Sequence, residues 1–176
     1  MAGSIMATTT PLNGWPVPTS TDYVKDGAVS IEALGDAIDT SVGSGLLAWQ
    51  TWAPTLSSGW ANGNGVWDAK YAKIGKIVHW TATFTLGTTT TKGTGMVISL
   101  PVTAASSNST LNAAGYSITG GTRYLAPISG NTTTTIAVGN VATNATYGVY
   151  NTMTATTPFA WATGDTLVLA GSYEAA

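Results

Sequence analysis

Among the residues after Leu46, His79, Asp68, Asp165 and Glu174 are the groups best suited to acid–base or metal chemistry. A glycosidase places two carboxyls about 5–9 Å apart across the scissile bond. Here the body offers only three carboxylates to form such a pair. Asp165, in "TGDT", reads more simply as a turn residue bonded to its own backbone, and Glu174 stands near the end of the chain. His79 is the only histidine, and it alternates with Trp80 in "IVHWTATFTL", so it faces solvent or an interface. Cysteine is absent, which removes disulfides and thiolate ligands and leaves too few donors for zinc. "GNGVW" is a glycine turn with no helix after it, so it cradles no phosphate. No catalytic residue, metal site or cofactor is expected.

The side chains are better suited to binding. Trp49, Trp52, Trp60 and Trp67 crowd the start of the body, interleaved with glycine and asparagine in "SSGWANGNGVW". Aromatic faces beside amides and hydroxyls suit sugars, whose C–H faces stack while their hydroxyls hydrogen-bond. Trp60, Asn62, Asn64 and Trp67 are therefore the ligand-binding candidates. The weightier reading of the same tryptophans is that they fill a core or seal contacts between subunits.

Charge narrows the partners. Only 8% of the 176 residues are charged, with six Lys/Arg against eight Asp/Glu, and Arg123 is alone between Gly93 and Gly164. A net charge of −2 with no basic cluster argues against nucleic acid and anionic membrane surfaces. So neutral a surface tends to self-associate. No run is long enough to span a membrane, and the start, "MAGSIMATTTPLNG", lacks the apolar core of a signal peptide. The sequons at Asn108, Asn131 and Asn144 are what a Thr- and Asn-rich chain produces by chance.

Three segments would position these groups. Residues 1–23 form an extended arm in which Pro11, Pro16 and Pro18 favour open backbone. Trp15 in this arm either folds back on the body or plugs into another protein. Residues 24–45 hold the one helical period, Val24 to Val42, with Ile31, Leu34, Ile38 and Val42 on one stripe. Asp26 or Ser30 would cap its start and Gly43 and Gly45 its end. A helix this short is marginal alone, so its stripe needs either the body or parallel copies of itself in a two-heptad coiled coil. From residue 46 to 176 the period becomes two. "IVHWTATFTL", "MVISLPV", "TTTTIAVG", "YGVYNTMTAT" and "TGDTLVLAGSYEAA" read as strands, and "GYSITGGTRYLAPI" as a hairpin on Gly120–Gly121. Eight to ten such strands predict a mainly β fold, an antiparallel sandwich of jelly-roll type.

The stretch "GWPVPTSTDYVKDGAVSIEALGDAID" resembles the N-terminal segment of bacteriophage virion proteins, especially those of actinobacteriophages. There an arm of pattern W/Y-P-x-P-x-x-x-D leads into a helix of pattern I-x-x-L-x-x-x-I-D. Trp15, Pro16, Pro18, Asp22, Ile31, Leu34, Ile38 and Asp39 match it. "YAKIGKIVHWTATFTLG", "SLPVTA" and "TPFAWATGDTLVLAGSYEA" are similar to the β-sandwich tips of phage fibres and minor tail proteins. The resemblance implies a homotrimer carried on a virion assembled in the host cytoplasm, and the shortage of acid–base groups implies no enzymatic activity. Trp15, Pro16, Pro18, Asp22 and Tyr23 would attach it to other virion proteins. Ile31, Leu34, Ile38 and Val42 would hold the trimer. The sandwich would project toward a host-surface glycan. Tail proteins of this kind usually carry a shaft between anchor and tip, and here only "GSGLLAWQTW" intervenes. A capsid head fibre or decoration protein is therefore the alternative.

Overall fold

The computed structural model describes residues 8–19, 23, 26–42, 48–107, 112–144 and 146–176. The chain divides into two units, 1–48 and 49–176. The described part of the fold is mainly β, all of its ladders antiparallel, with a single α-helix.

In the first unit, β1 (Thr8–Thr9) pairs with β2 (Pro16–Val17). The intervening turn closes through the Trp15 amide, which donates to Thr10 Oγ1 at 3.0 Å, and Gly14 adopts φ +65°. The arm is thus a minimal hairpin over these residues rather than a wholly extended strand. Helix α1 spans Gly27–Ser41 and packs against β2. Asp26 occupies the N-cap position without a side-chain capping bond, and the Ser30 hydroxyl donates back to the Asp26 carbonyl at 3.1 Å. Ser30 therefore lies inside the helix, bonded one turn back, and is not its cap. Gly43 and Gly45, the expected stops, lie outside the described residues.

The second unit is a curled antiparallel sheet of ten strands. They are β3 (Gln50–Thr51), β4 (Leu56–Ser57), β5 (Val66–Ile74), β6 (Ile77–Thr85), β7 (Val97–Ser99), β8 (Asn112–Thr119), β9 (Thr122–Gly130), β10 (Thr135–Asn144), β11 (Tyr147–Thr152) and β12 (Thr166–Glu174). The spatial order is β3-β5-β6-β12-β8-β9-β10-β7-β4, with β11 added to β10. The alternation in "IVHWTATFT" does what its period predicts: Val78, Trp80, Ala82 and Phe84 are buried and His79 is exposed. The Gly120–Gly121 turn joins β8 to β9 with φ of +52° and +85°, the doubly left-handed backbone that a two-residue hairpin of this type requires.

β9 changes partner along its length. Thr122–Pro127 ladders with β8, whereas Ile128–Gly130 ladders with β10. The change falls at Pro127, which has no N–H to give to a ladder. This transfer lets one continuous sheet bring β6 and β12 into the same buried cluster as Met96, Ile98, Ile136, Val138 and Met153. The tryptophans fill that cluster in pairs. Trp52 meets Trp80 edge-on at 5.8 Å, Trp60 meets Trp161 edge-on at 5.8 Å, and Trp67 stacks on Phe84 at 4.5 Å. Both offset and edge-on geometries match the ring quadrupole.

Tyr173 on β12 closes the core toward the 102–105 segment. Its hydroxyl donates to the Val102 carbonyl at 2.7 Å and accepts from the Val102 amide at 3.1 Å. Burial pushes this phenol up from its ordinary 10.0 to about 12. The folded state therefore holds a proton that the unfolded state gives up first, so the contribution is intact below pH 10 and falls as pH rises toward 12. Urea unfolding between pH 9 and 11.5 should show stability declining with pH. Tyr173→Phe should flatten that slope while costing about 1–3 kcal/mol at neutral pH through the two lost bonds.

Candidate functional site

Trp60, Asn62 and Asn64 sit on the turns that join β4 to β5, and Trp67 lies on β5 itself. The amides of Asn62 and Asn64 are turned to internal use, whereas the indole N–H groups of Trp60 and Trp67 are buried without a hydrogen-bond partner among the described residues. Trp60 is buried against Trp161, and Trp67 is half-buried on Phe84. Asn62 Oδ1 accepts from the Leu56 amide at 3.1 Å, and its Nδ2 donates to the Pro54 carbonyl at 2.9 Å. The side chain thereby stands in for a strand partner to two backbone groups. Asn64 Oδ1 accepts from the Thr89 amide at 2.8 Å and the Thr89 hydroxyl at 2.9 Å, while its Nδ2 donates to Thr88 Oγ1 at 3.0 Å. The Thr90 hydroxyl adds a bond to the Asn62 carbonyl at 2.8 Å. Together these contacts lock residues 62–65 against residues 87–90. Gly63, at φ +55°, and Gly87 both lie where a Cβ would collide with the opposite backbone. What resembles a sugar platform in sequence is, in the fold, a loop clasp with its amides occupied.

The acid–base groups are dispersed. Asp68 on β5 and His79 on β6 are exposed. Asp165 Oδ2 accepts from the Ala162 amide at 2.6 Å, which is the turn role its sequence context predicts. Glu174 ends β12 opposite Ile77. The described residues contain no group of three His, Asp or Glu side chains able to hold a metal ion, and no described helix is long and apolar enough to cross a membrane.

The features left without an internal role are apolar and exposed. On α1 no residue is buried. Ile31 is 64% exposed, Ile38 and Val42 are also exposed, and only Leu34 of the stripe is half-covered. Trp15 lies beside this helix, its indole N–H donating to Ser41 Oγ at 3.0 Å. Pro16 and Pro18 are half-buried and Tyr23 is exposed, while Asp22 lies outside the described residues. On the body, the outward face of β12, β8 and β9 carries Val168, Ala170, Ala114, Tyr116 and Leu125. The β10–β11 hairpin adds exposed Val141, Tyr147, Val149 and Tyr150. Sequence periodicity finds these strands, but it does not show that β11 is exposed along its whole length.

Asn62→Ala should lower stability by about 1–3 kcal/mol, since it strips the partner from two backbone groups in a half-buried turn. Asn64→Ala, on the exposed side, should cost less. Thermal unfolding of the two variants side by side checks this order, and equal or reversed losses would refute the clasp. No protein-family model, curated protein or solved structure matches this chain.

Proposed function

We propose that this chain is a homotrimeric structural protein of a bacteriophage virion, a minor tail protein or tail fibre that presents a β-sandwich to the host surface. The observation that carries the reading is the apolar stripe of α1. Ile31, Ile38 and Val42 are exposed in the single chain, and a short helix with an uncovered stripe needs partners to be stable. Parallel copies of α1 supply them, and the low charge of the body suits burial between subunits. The curled sheet with its central aromatic core fits a sandwich of jelly-roll type. Phage origin and the docking role of Trp15, Pro16, Pro18, Asp22 and Tyr23 rest on the sequence resemblance. A host-surface glycan is the receptor class this reading favours, and the occupied amides of Asn62 and Asn64 move its contact away from that clasp.

A head-fibre or capsid-decoration role is the second reading, favoured by one measurement along the chain. Helix α1 ends at Ser41 and the first strand of the body starts at Gln50, so no shaft separates anchor from body.

Two experiments test the proposal. Light scattering of the full chain should give three times the 17.9 kDa chain mass, and Ile38→Asp should reduce it to one chain by placing a carboxylate in the seam. An unchanged mass would refute the helical trimer. Immunogold labelling of purified virions with antibody to the body should mark the tail end. Label over the head would select the decoration role, and unlabelled particles would remove the virion assignment.

A further inference from the structure

The outer face of the sheet across β9, β8, β12 and β6 holds a cation that no carboxylate of the body balances. Arg123 follows the Gly120–Gly121 turn and is exposed, with its guanidinium carbon 5.3 Å from the centre of the Tyr116 ring. Among the described residues it makes no hydrogen bond and no ion pair. The three carboxylates of the body lie elsewhere. Asp165 is buried on the core side and occupied by the Ala162 amide. Glu174 ends β12 at the end opposite Thr166, the residue level with Arg123 in the ladders. Asp68 on β5 is four strand spacings from β9, roughly 19 Å. That exceeds the screening length of about 10 Å in 0.1 M salt, so Arg123 acts as an isolated cation.

Beside the guanidinium the face is hollow. An opening of about 310 Å³ is walled by Tyr116 and Leu125 and runs over Val168 and Ala170. Tyr116 stands opposite both Leu125 and Val168 in the ladders, so ring, floor and cation share one small area. The next strand, β6, supplies hydroxyls. Thr83 pairs with Val168 and Thr81 with Ala170, two strand spacings from β8, or roughly 10 Å. Thr81, Thr83 and Thr85 alternate with the buried Ala82 and Phe84, so they point outward. Their side chains make no hydrogen bond among the described residues. The hydroxyls of Thr89, Thr90, Thr135 and Thr157, by contrast, are all bonded within the chain.

We propose that this hollow binds a glycan built with carboxylate-bearing sugars, the carboxylate seated on Arg123. A guanidinium held over a ring keeps its N–H fork free for a planar carboxylate. The C–H face of the sugar stacks on Tyr116 above Val168 and Ala170, and its hydroxyls reach the rank of Thr81, Thr83 and Thr85. An acidic peptide suits the place less well. Extended peptides bind a sheet through main-chain bonds at a free edge, whereas β8 lies between β12 and β9, and β12 between β6 and β8. The inference rests on the glycan-receptor reading of the preceding proposal, for which it names the contact and the sugar class. It does not depend on the helical trimer.

Titration calorimetry of the full chain with polygalacturonate, dextran and polyglutamate tests this. Binding is expected to polygalacturonate alone, and it should weaken as salt is raised. Arg123→Gln, at an exposed position, should lower that affinity about tenfold or more, the worth of a charge-assisted hydrogen bond. Thr83→Val should lower it roughly twofold to tenfold, the worth of a neutral one. Tyr147→Ala, on β11 and off this face, should leave it unchanged. No binding, equal binding to dextran, or losses no larger than that of Tyr147→Ala would overturn the site. Polyglutamate bound as tightly would overturn the glycan in favour of an acidic peptide. Light scattering on the same samples separates the two proposals. A trimer that binds no polygalacturonate overturns this inference and leaves the trimeric reading standing. A single chain that binds it supports the site and refutes the trimer. A mass lowered by Arg123→Gln would show that a subunit contact covers the hollow, and would overturn the inference.

Discussion

The body depends on the register between β6 and β12. Nine residues pair without interruption, from Thr166 with Thr85 to Glu174 with Ile77. On the inward face this sets Phe84 opposite Leu167, Ala82 opposite Leu169, Trp80 opposite Gly171 and Val78 opposite Tyr173. Two of these pairs place a large side chain against a small one, Trp80 with Gly171 and Ala82 with Leu169, so the layer packs without a clash. A slip of one residue would turn His79, Thr81 and Thr83 into the core and expose Trp80 and Phe84, because side chains in a strand alternate strictly. Trp52 and Trp67 then pack on the rings that this register presents. Tyr173 reaches Val102 only because the same ladder holds it at the far end.

The parts of the fold legible in sequence are those in which a local rule and the tertiary structure agree. "IVHWTATFTL" shows its buried face by period two, and Gly120–Gly121 shows its turn by needing left-handed backbone twice. β5 was harder to see. Its inward residues are Trp67, Ala69 and Tyr71, and the small Ala69 between two aromatics, next to Asp68 and Lys70, blurs the alternation. The clasp was misleading for a different reason. The Asn64 amide finds its partners at Thr88 and Thr89, 24 and 25 residues away, and the Asn62 amide bonds backbone groups of Pro54 and Leu56, so composition shows aromatics beside free amides where the fold has both amides occupied. The Ser30 cap failed because serine bonds equally well to the carbonyl one turn back. Exposure of β11 on both faces is a property of the opened sheet and leaves no periodic trace.

Hydroxyls replace charge over much of this surface. Thr132, Thr134 and Thr135 bond to one another and to backbone at one loop, and Thr154, Thr156 and Thr157 do the same at another. Such local bonds fix turns without long-range fields. They also remove the like-charge repulsion that keeps copies of a protein apart. A chain built this way gains little orientation from electrostatics, so any specific association has to come from shape and apolar contact.

That requirement bears most directly on α1, whose apolar stripe is the uncovered surface on the one described helix. Two heptads of α1 present few side chains, and Gly35 within them lowers helix propensity by about 1 kcal/mol relative to alanine. Among the described residues nothing approaches within 4 Å of the Cβ that Gly35 lacks. A seam this weak does not fix the number of strands by itself.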